Sequence, residues 1–264
     1  MNPLKIILNF LRTDELANDI NGSTRIEAHR LISEMKPEFL RVVADQQHDV
    51  LNRFTHFNPN KTALELGAGS IPLNQTDPSF FATDIVREDH LDVVLSAMDL
   101  GIRSDSVDVI AAIQTFHHLN DPSTFFVEAI RVLKPGGRII LIEPFHNYFS
   151  RLIYPHLFHT ENYLRDAPWV RPGSGPMTEA NQALSYCVFV RDSSRFSSEF
   201  SQLKIVFAGS HATGLRYLLT GGLNFRKLAP NWLLNLLRRI ENRFPVILKP
   251  FAIHWVICLE KVEG

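Results

Sequence analysis

Apolar positions recur along the chain with two different periods, and the change from one to the other marks its organisation. From 24 to 56 the spacing is helical. Thr24 with Glu27 three positions later is a capping-box pattern, and apolar Ile26, Leu31, Ile32 and Met35 follow at helical spacing. Pro37 opens a second helix through Phe39, Leu40, Val43, Val50 and Leu51, and Asn58-Pro59-Asn60 reads as a turn.

From 61 to 143 the texture shifts to short apolar runs bounded by turn signals. Runs at 62–66, 80–83, 93–95, 107–113 and 138–143 predict strands. Between the last two, 122–133 predicts a helix with Phe125, Phe126, Ala129, Ile130 and Leu133 on one side. Strands alternating with crossovers predict an α/β fold, a doubly wound and mostly parallel sheet covered on both faces. Residues 144–202 read as an insertion, aromatic and rich in His, Pro and Gly at first, then helical from about Thr178. Strand-like runs at 203–208 and 253–259 bracket a final section containing a helix at 231–240. There Trp232, Leu233, Leu236, Leu237 and Ile240 cover one arc, opposite Asn235, Arg238 and Arg239. The expected organisation is an N-terminal helical segment, 1–60, followed by one domain, 61–264, with a cap inserted at about 144–202.

Composition narrows the class. The 264 residues are 45% hydrophobic, enough to build a sizeable core, and 27 Lys+Arg against 28 Asp+Glu leave a net charge of −1. Proteins that live on nucleic acid carry a basic excess, so none is expected as a partner. The two cysteines, Cys187 and Cys258, supply neither a disulfide framework nor a zinc site by themselves and fit a reduced, cytoplasmic setting. Lys5, Asn9 and Arg12 break up the apolar N-terminus, which lacks a small-residue cleavage site, so no signal peptide is expected.

The most informative segment is Ala63-Leu64-Glu65-Leu66-Gly67-Ala68-Gly69-Ser70. A strand running into two alternating glycines lets a ligand approach the backbone without meeting a Cβ. The third glycine of a dinucleotide fingerprint would fall on Pro72, which disfavours NAD or FAD, and a phosphate loop ending in Gly-Lys-Ser/Thr is absent. Glu65 would repel a pyrophosphate and suits a ligand carrying positive charge. Asp84 ends the second strand, where a carboxylate can accept both hydroxyls of a ribose. Met98-Asp99 follows the third strand, a thioether to pack on a purine and an acceptor for its exocyclic amine. Each has an ordinary structural explanation: a tight turn, a helix N-cap, core filling. Four in order at successive strand ends converge on the edge where open α/β sheets bind ligands.

On Glu65-Leu66-Gly67-Ala68-Gly69, Asp84, Ala97-Met98-Asp99-Leu100, Phe116-His117-His118-Leu119 and Arg131-Val132-Leu133-Lys134-Pro135-Gly136-Gly137, the chain resembles the class I S-adenosylmethionine-dependent methyltransferases. Within them it is most similar to the small-molecule group that includes the quinone-biosynthesis C-methyltransferases. The resemblance covers 61–143, and Leu-Lys-Pro-Gly-Gly ahead of a strand is its most specific part. It implies a seven-stranded Rossmann-like sheet whose last strand, 253–259, runs antiparallel. It implies S-adenosyl-L-methionine as cofactor, with Glu65, Gly67 and Gly69 at the methionine and ribose portion. Asp84 would then bind the ribose, Met98 and Asp99 the adenine, and Gln114 would lie near the cofactor. Two departures stand out. The family's third glycine is Ile71, and the crossover from Gly69 to Phe80 contains Pro72, Asp77 and Pro78, too short and too broken for the usual long first helix.

The expected reaction is methyl transfer to a small acceptor, with His117, His118, Glu143 and His146 as candidate catalytic groups on one rim. No metal is expected. Methyl transfer does not require one, and Pro155 and the surrounding aromatics make a lid a better reading of His156, His159 and Glu161 than a metal site. From 216 to 249, basic residues at 216, 226, 227, 238, 239, 243 and 249 face a single acid, Glu241. With the neighbouring apolar residues, that section suits an anionic membrane surface and puts hydrophobic or lipid-linked acceptors among the candidates. Two competing readings are a catalytically degenerate fold that binds a membrane surface or partner, motivated by Ile71 and the short crossover, and aminopropyl transfer. The latter lacks its Asp-rich site after the fourth strand, where Gln114-Thr115-Phe116 stands.

Overall fold

A computed structural model describes residues 36–55, 61–157, 161–173, 180–222 and 225–263. The helix and capping box expected at 24–35 and the turn at 58–60 lie outside them. The second expected helix is α1, Pro37–Phe54, with its proline in the first turn, where the missing N–H costs no hydrogen bond.

Seven strands form one sheet: β1 Ala63–Leu66, β2 Phe80–Asp84, β3 Val93–Val94, β4 Val107–Ile113, β5 Leu133–Pro144, β6 Leu203–Ser210 and β7 His254–Lys261. Their order is β3-β2-β1-β4-β5-β7-β6. The first five pair in parallel, and β7 runs antiparallel between β5 and β6. The expected last strand is therefore antiparallel, and it lies inside the sheet rather than at its edge. The strand order reverses between β1 and β4, so the C-terminal ends of these strands frame the switch-point crevice.

Side-chain alternation splits the core in two. Leu64, Leu66, Ile110 and Ala112 face helix α2, Pro122–Val132, and a cap containing Trp169, Leu184, Phe189 and Phe196. Ala63, Val109, Ala111, Ile140 and Ile142 face Val50, Leu51 and Phe54 of α1. Asp121 starts α2 by accepting the Ser123 and Thr124 N–H groups, both at its Oδ1. The Lys134-Pro135-Gly136-Gly137 stretch is absorbed into β5 as an irregularity, since the pairing steps from Val107↔Leu133 to Val109↔Arg138.

Between β1 and β2 the crossover contains only a 3-10 turn, Leu73–Gln75, as Pro72 and Pro78 require. Glu65 completes it: its buried Oε2 accepts the Leu73 N–H at 2.6 Å. Burial, with the Asp84 charge adding and the Leu73 hydrogen bond opposing, pushes the Glu65 carboxyl from 4.5 up to about 8. Between those two values the folded chain holds a proton that the unfolded chain has lost. The contribution of Glu65 to stability is thus whole below about pH 4.5 and shrinks as pH rises toward 8. We expect Glu65→Gln to flatten this decline when chemical-denaturation midpoints are compared from about pH 5 to about pH 8. An unchanged slope would remove Glu65 as its source.

After β5 come α3, Tyr148–Leu157, an irregular stretch, α4, Leu184–Tyr186, with a π turn, Cys187–Arg191, and α5, Ser193–Glu199. The first part of the cap, expected to be irregular, thus contains helix α3, and helix resumes at Leu184; the start expected near Thr178 lies outside the described residues. After β6 come α6, Gly214–Thr220, α7, Asn231–Arg243, and α8, Pro245–Leu248. Helix α7 corrects the expected arc. It buries Leu234, Leu237 and Glu241 and leaves Trp232 68% and Leu236 44% exposed. The reason is electrostatic as well as apolar: buried Arg216 on α6 binds Glu241 at 2.6 Å and Asp45 of α1 at 2.8 Å, which turns the Glu241 side of α7 inward.

Candidate active site

Gly67 and Gly69, both with positive φ (65° and 54°), carry the chain over the end of β1. At Gly67 a side chain is excluded twice, since a Cβ there would meet the Thr115 side chain at 2.3 Å. Thr115 Oγ1 instead donates to the Gly67 carbonyl at 3.1 Å and ties the loop to the segment after β4. At Gly69 the side-chain direction is open, since a Cβ there would meet only the Gly67 carbonyl oxygen, at 3.9 Å, while the Gly69 carbonyl lies 2.6 Å from His90 Nε2.

Asp84 stands beside this loop. Its Oδ2 accepts the Gly69 N–H and its Oδ1 the Val86 N–H, each at 3.1 Å. A carboxylate has about four acceptor positions, so about two remain for the vicinal hydroxyls of a ribose. Glu65 is buried within electrostatic reach of Asp84, with Oε2 committed to Leu73. Met98 and Asp99 sit on the turn after β3, Met98 half-buried and Asp99 exposed, within electrostatic reach of Arg131. Gln114 follows β4 with φ of 53°, unusual for a residue with a side chain, and its N–H donates to Ile142 O at 2.8 Å. That kink sends the following residues over the rim.

Those residues are held by Glu143. Its fully buried carboxylate accepts four hydrogen bonds: from Thr115 N at 3.0 Å, Phe116 N at 2.9 Å, His117 N at 3.2 Å and His117 Nδ1 at 2.8 Å. Its acceptor positions are filled, so Glu143 positions the loop and has no vacancy for a substrate proton. This corrects its expected catalytic role.

His117 is buried, with Nε2 3.3 Å from Glu161 Oε2. Burial would lower its basicity, but the Glu143 and Glu161 carboxylates outweigh that and hold it up at about 10. At neutral pH His117 is an imidazolium, a donor rather than a base. The half-buried His118 ring packs 4.1 Å from it, centroid to centroid. His146 is set apart, against Phe145, Tyr186 and Trp255, and burial followed by Arg165 lowers its pKa. Glu161 joins His117 and His118; His156 is exposed on α3, and His159 lies outside the described residues.

Behind this rim Tyr154 donates to the Ile253 carbonyl and stacks on Tyr163, 5.7 Å apart. Tyr163 also lines an open groove of about 780 Å³ with Arg151, Arg165 and Arg171. The groove lies on the cap side of the rim, not at the glycine loop, and Arg171 N–H donates to Asn120 O at 2.9 Å. Sequence reading missed Thr115, whose only signal is the unusually close approach that Gly67 permits.

Residues 42–141 match a family described as a methyltransferase domain. A highly reducing polyketide synthase of Emericella nidulans is 24% identical over 139 residues, 40% of this chain and 5% of that one. Among solved structures, a geranyl diphosphate methyltransferase in complex with SAM superposes with a TM-score of 0.52 at 13% identity, covering 96% of each chain. A Haemonchus contortus phosphoethanolamine N-methyltransferase, also with S-adenosyl-L-methionine, gives 0.50 at 12% identity, over 95% of this chain and 60% of that one. The chain thus spans a small part of the synthase and under two thirds of the Haemonchus protein. Residues 42–141 thus match a methyltransferase domain, and the sheet has the fold of class I S-adenosylmethionine-dependent methyltransferases.

Proposed function

We propose that this protein is an S-adenosylmethionine-dependent methyltransferase for a small acceptor, with a hydrophobic or lipid-linked molecule as the best candidate. The observation that carries the reading is Asp84 with acceptor capacity to spare, beside a glycine loop whose side-chain direction at Gly69 is open, at the switch point of the sheet. Gly67 and Gly69 would let the cofactor lie against backbone, Asp84 would take its ribose hydroxyls, and Met98 with Asp99 would receive the adenine. Glu65 and Gln114 would shape the loop. When bound, the cofactor supplies an electrophilic methyl group on a sulfonium.

The protein's contribution is position. Glu143 fixes the loop carrying Thr115 to His118, and the cap covers that rim from the far side, so an acceptor can be aligned and water excluded. Such alignment supplies on the order of 7–11 kcal/mol of a barrier. Both ring N–H groups of His117 are committed, to Glu143 and Glu161, so His117 orients the rim, and His118 is the candidate to take a proton from an acceptor.

The finer reading of the acceptor rests on the surface beside α7. Trp232, Leu236, Phe244, Val246, Ile247 and Phe251 are exposed there together with Arg239, Arg243 and Lys249. Arg216 and Arg238 drop out of the expected basic section because they pair with Glu241 and Asp45. No described helix is long and apolar enough to cross a membrane. An apolar face with a basic rim suits the headgroup region of an anionic bilayer, where each Lys or Arg contributes about 1 kcal/mol. Reversing Arg239, Arg243 and Lys249 to Glu should therefore cut sedimentation with phosphatidylserine vesicles by roughly 100-fold. Equal sedimentation of the triple variant would end the membrane reading. Transfer of labelled methyl from S-adenosylmethionine to cell extract tests the function: label in the organic-soluble fraction supports this acceptor class, and label confined to water-soluble products excludes it.

A further inference from the structure

We propose that His117, His118 and Glu161 form a binding site for a divalent transition metal, Zn²⁺ being the first choice. One ligand atom from each residue lies within 4.8 Å of the other two. Two imidazoles and a carboxylate are a zinc donor set that leaves a fourth position open. Zinc bonds of about 2.0–2.2 Å in a tetrahedron put ligand atoms about 3.4 Å apart. His117 Nε2 and Glu161 Oε2 are already near that spacing, at 3.3 Å. The remaining pairs, within 4.8 Å, close by up to about 1.4 Å, within the reach of a half-buried His118 ring turning about its side-chain bonds.

The second observation is independent of that convergence. Each of two ligands has its own supporting partner. His117 presents Nε2 because Nδ1 is held by Glu143 at 2.8 Å, and Glu143 is itself pinned by three backbone N–H groups. Glu161 Oε2 accepts from Gln182 Nε2 at 3.1 Å. The carboxylate–histidine–metal relay is the usual way a ligating imidazole is oriented and its tautomer fixed. His117 Nε2 and Glu161 Oε2 face each other at 3.3 Å, and a dication would sit between the same two groups.

The site stands on the loop after β4, on the rim where an acceptor would meet the cofactor. Under the methyltransferase reading, on which this role rests, the open position would hold an acceptor oxygen or nitrogen and polarise it. Binding of the metal itself does not depend on that reading.

Chelator-treated protein, titrated with Co²⁺ and separately with Zn²⁺, tests the site by visible d–d absorption and by calorimetry. One equivalent is expected, with a Co²⁺ spectrum abolished by excess Zn²⁺. His118→Ala and Glu161→Gln are expected to weaken binding at least about 100-fold, the upper end of what even supporting residues cost. Far-ultraviolet circular dichroism checks that both variants fold. Substoichiometric uptake by the native chain, or unchanged affinity in both folded variants, overturns the site. S-adenosylhomocysteine affinity measured on the same metal-free sample separates the two claims. The nucleoside bound without metal uptake leaves the methyltransferase reading standing and removes the site; metal uptake without the nucleoside leaves only the site.

Discussion

Glu143→Ala is expected to destabilise the protein by about 3–5 kcal/mol, the cost of leaving a buried charge without its partner. Four donors converge on this carboxylate, and one of them is a buried imidazolium. Removing the acceptor strands the Thr115, Phe116 and His117 N–H groups on the turn that closes β4. Glu143→Gln should fall between the two, because an amide oxygen can still receive Thr115 and Phe116 while its NH₂ group opposes the His117 donors. Denaturant titration of the three proteins decides it. If Glu143→Ala stays within about 1 kcal/mol of the parent, an ordinary surface-sized effect, Glu143 does not anchor the rim.

Asp84→Ala is expected to lower affinity for S-adenosylhomocysteine at least about 100-fold. Hydrogen bonds to a charged group contribute about 1.5–3 kcal/mol each, and those to the two ribose hydroxyls would be lost. The alanine also releases the Gly69 and Val86 N–H groups that Asp84 now receives. Asp84→Asn separates these effects: its amide oxygen keeps one acceptor for the loop but removes the charge. Isothermal calorimetry on the folded variants should rank parent, Asn, Ala in falling affinity. Equal affinities across the series would place the ribose elsewhere.

The parallel strands and α2 were legible because their signals are local: apolar runs of strand length, apolar residues at helical spacing after Pro122, glycines where the chain must turn. Asp84, at the end of its strand and beside the glycine loop, was legible for the same reason. Glu143 was not. A carboxylate at a strand end looks the same in sequence whether it faces a substrate or four donors from a loop 26–28 residues earlier. The face of α7 was misjudged because its most polar inward residue, Glu241, is buried by Arg216, a pairing across 25 residues that periodicity cannot register. Glu161 was read beside the histidines nearest in sequence, whereas the fold brings it to His117 and His118.

Methyl transfer by this chain requires the Gly67–Gly69 loop to border a nucleoside pocket. A calorimetric titration of the full chain with S-adenosylhomocysteine measures that directly. One site of micromolar affinity, competed by S-adenosylmethionine, is the expected result. Heat no greater than dilution with the ligand at millimolar concentration would contradict it.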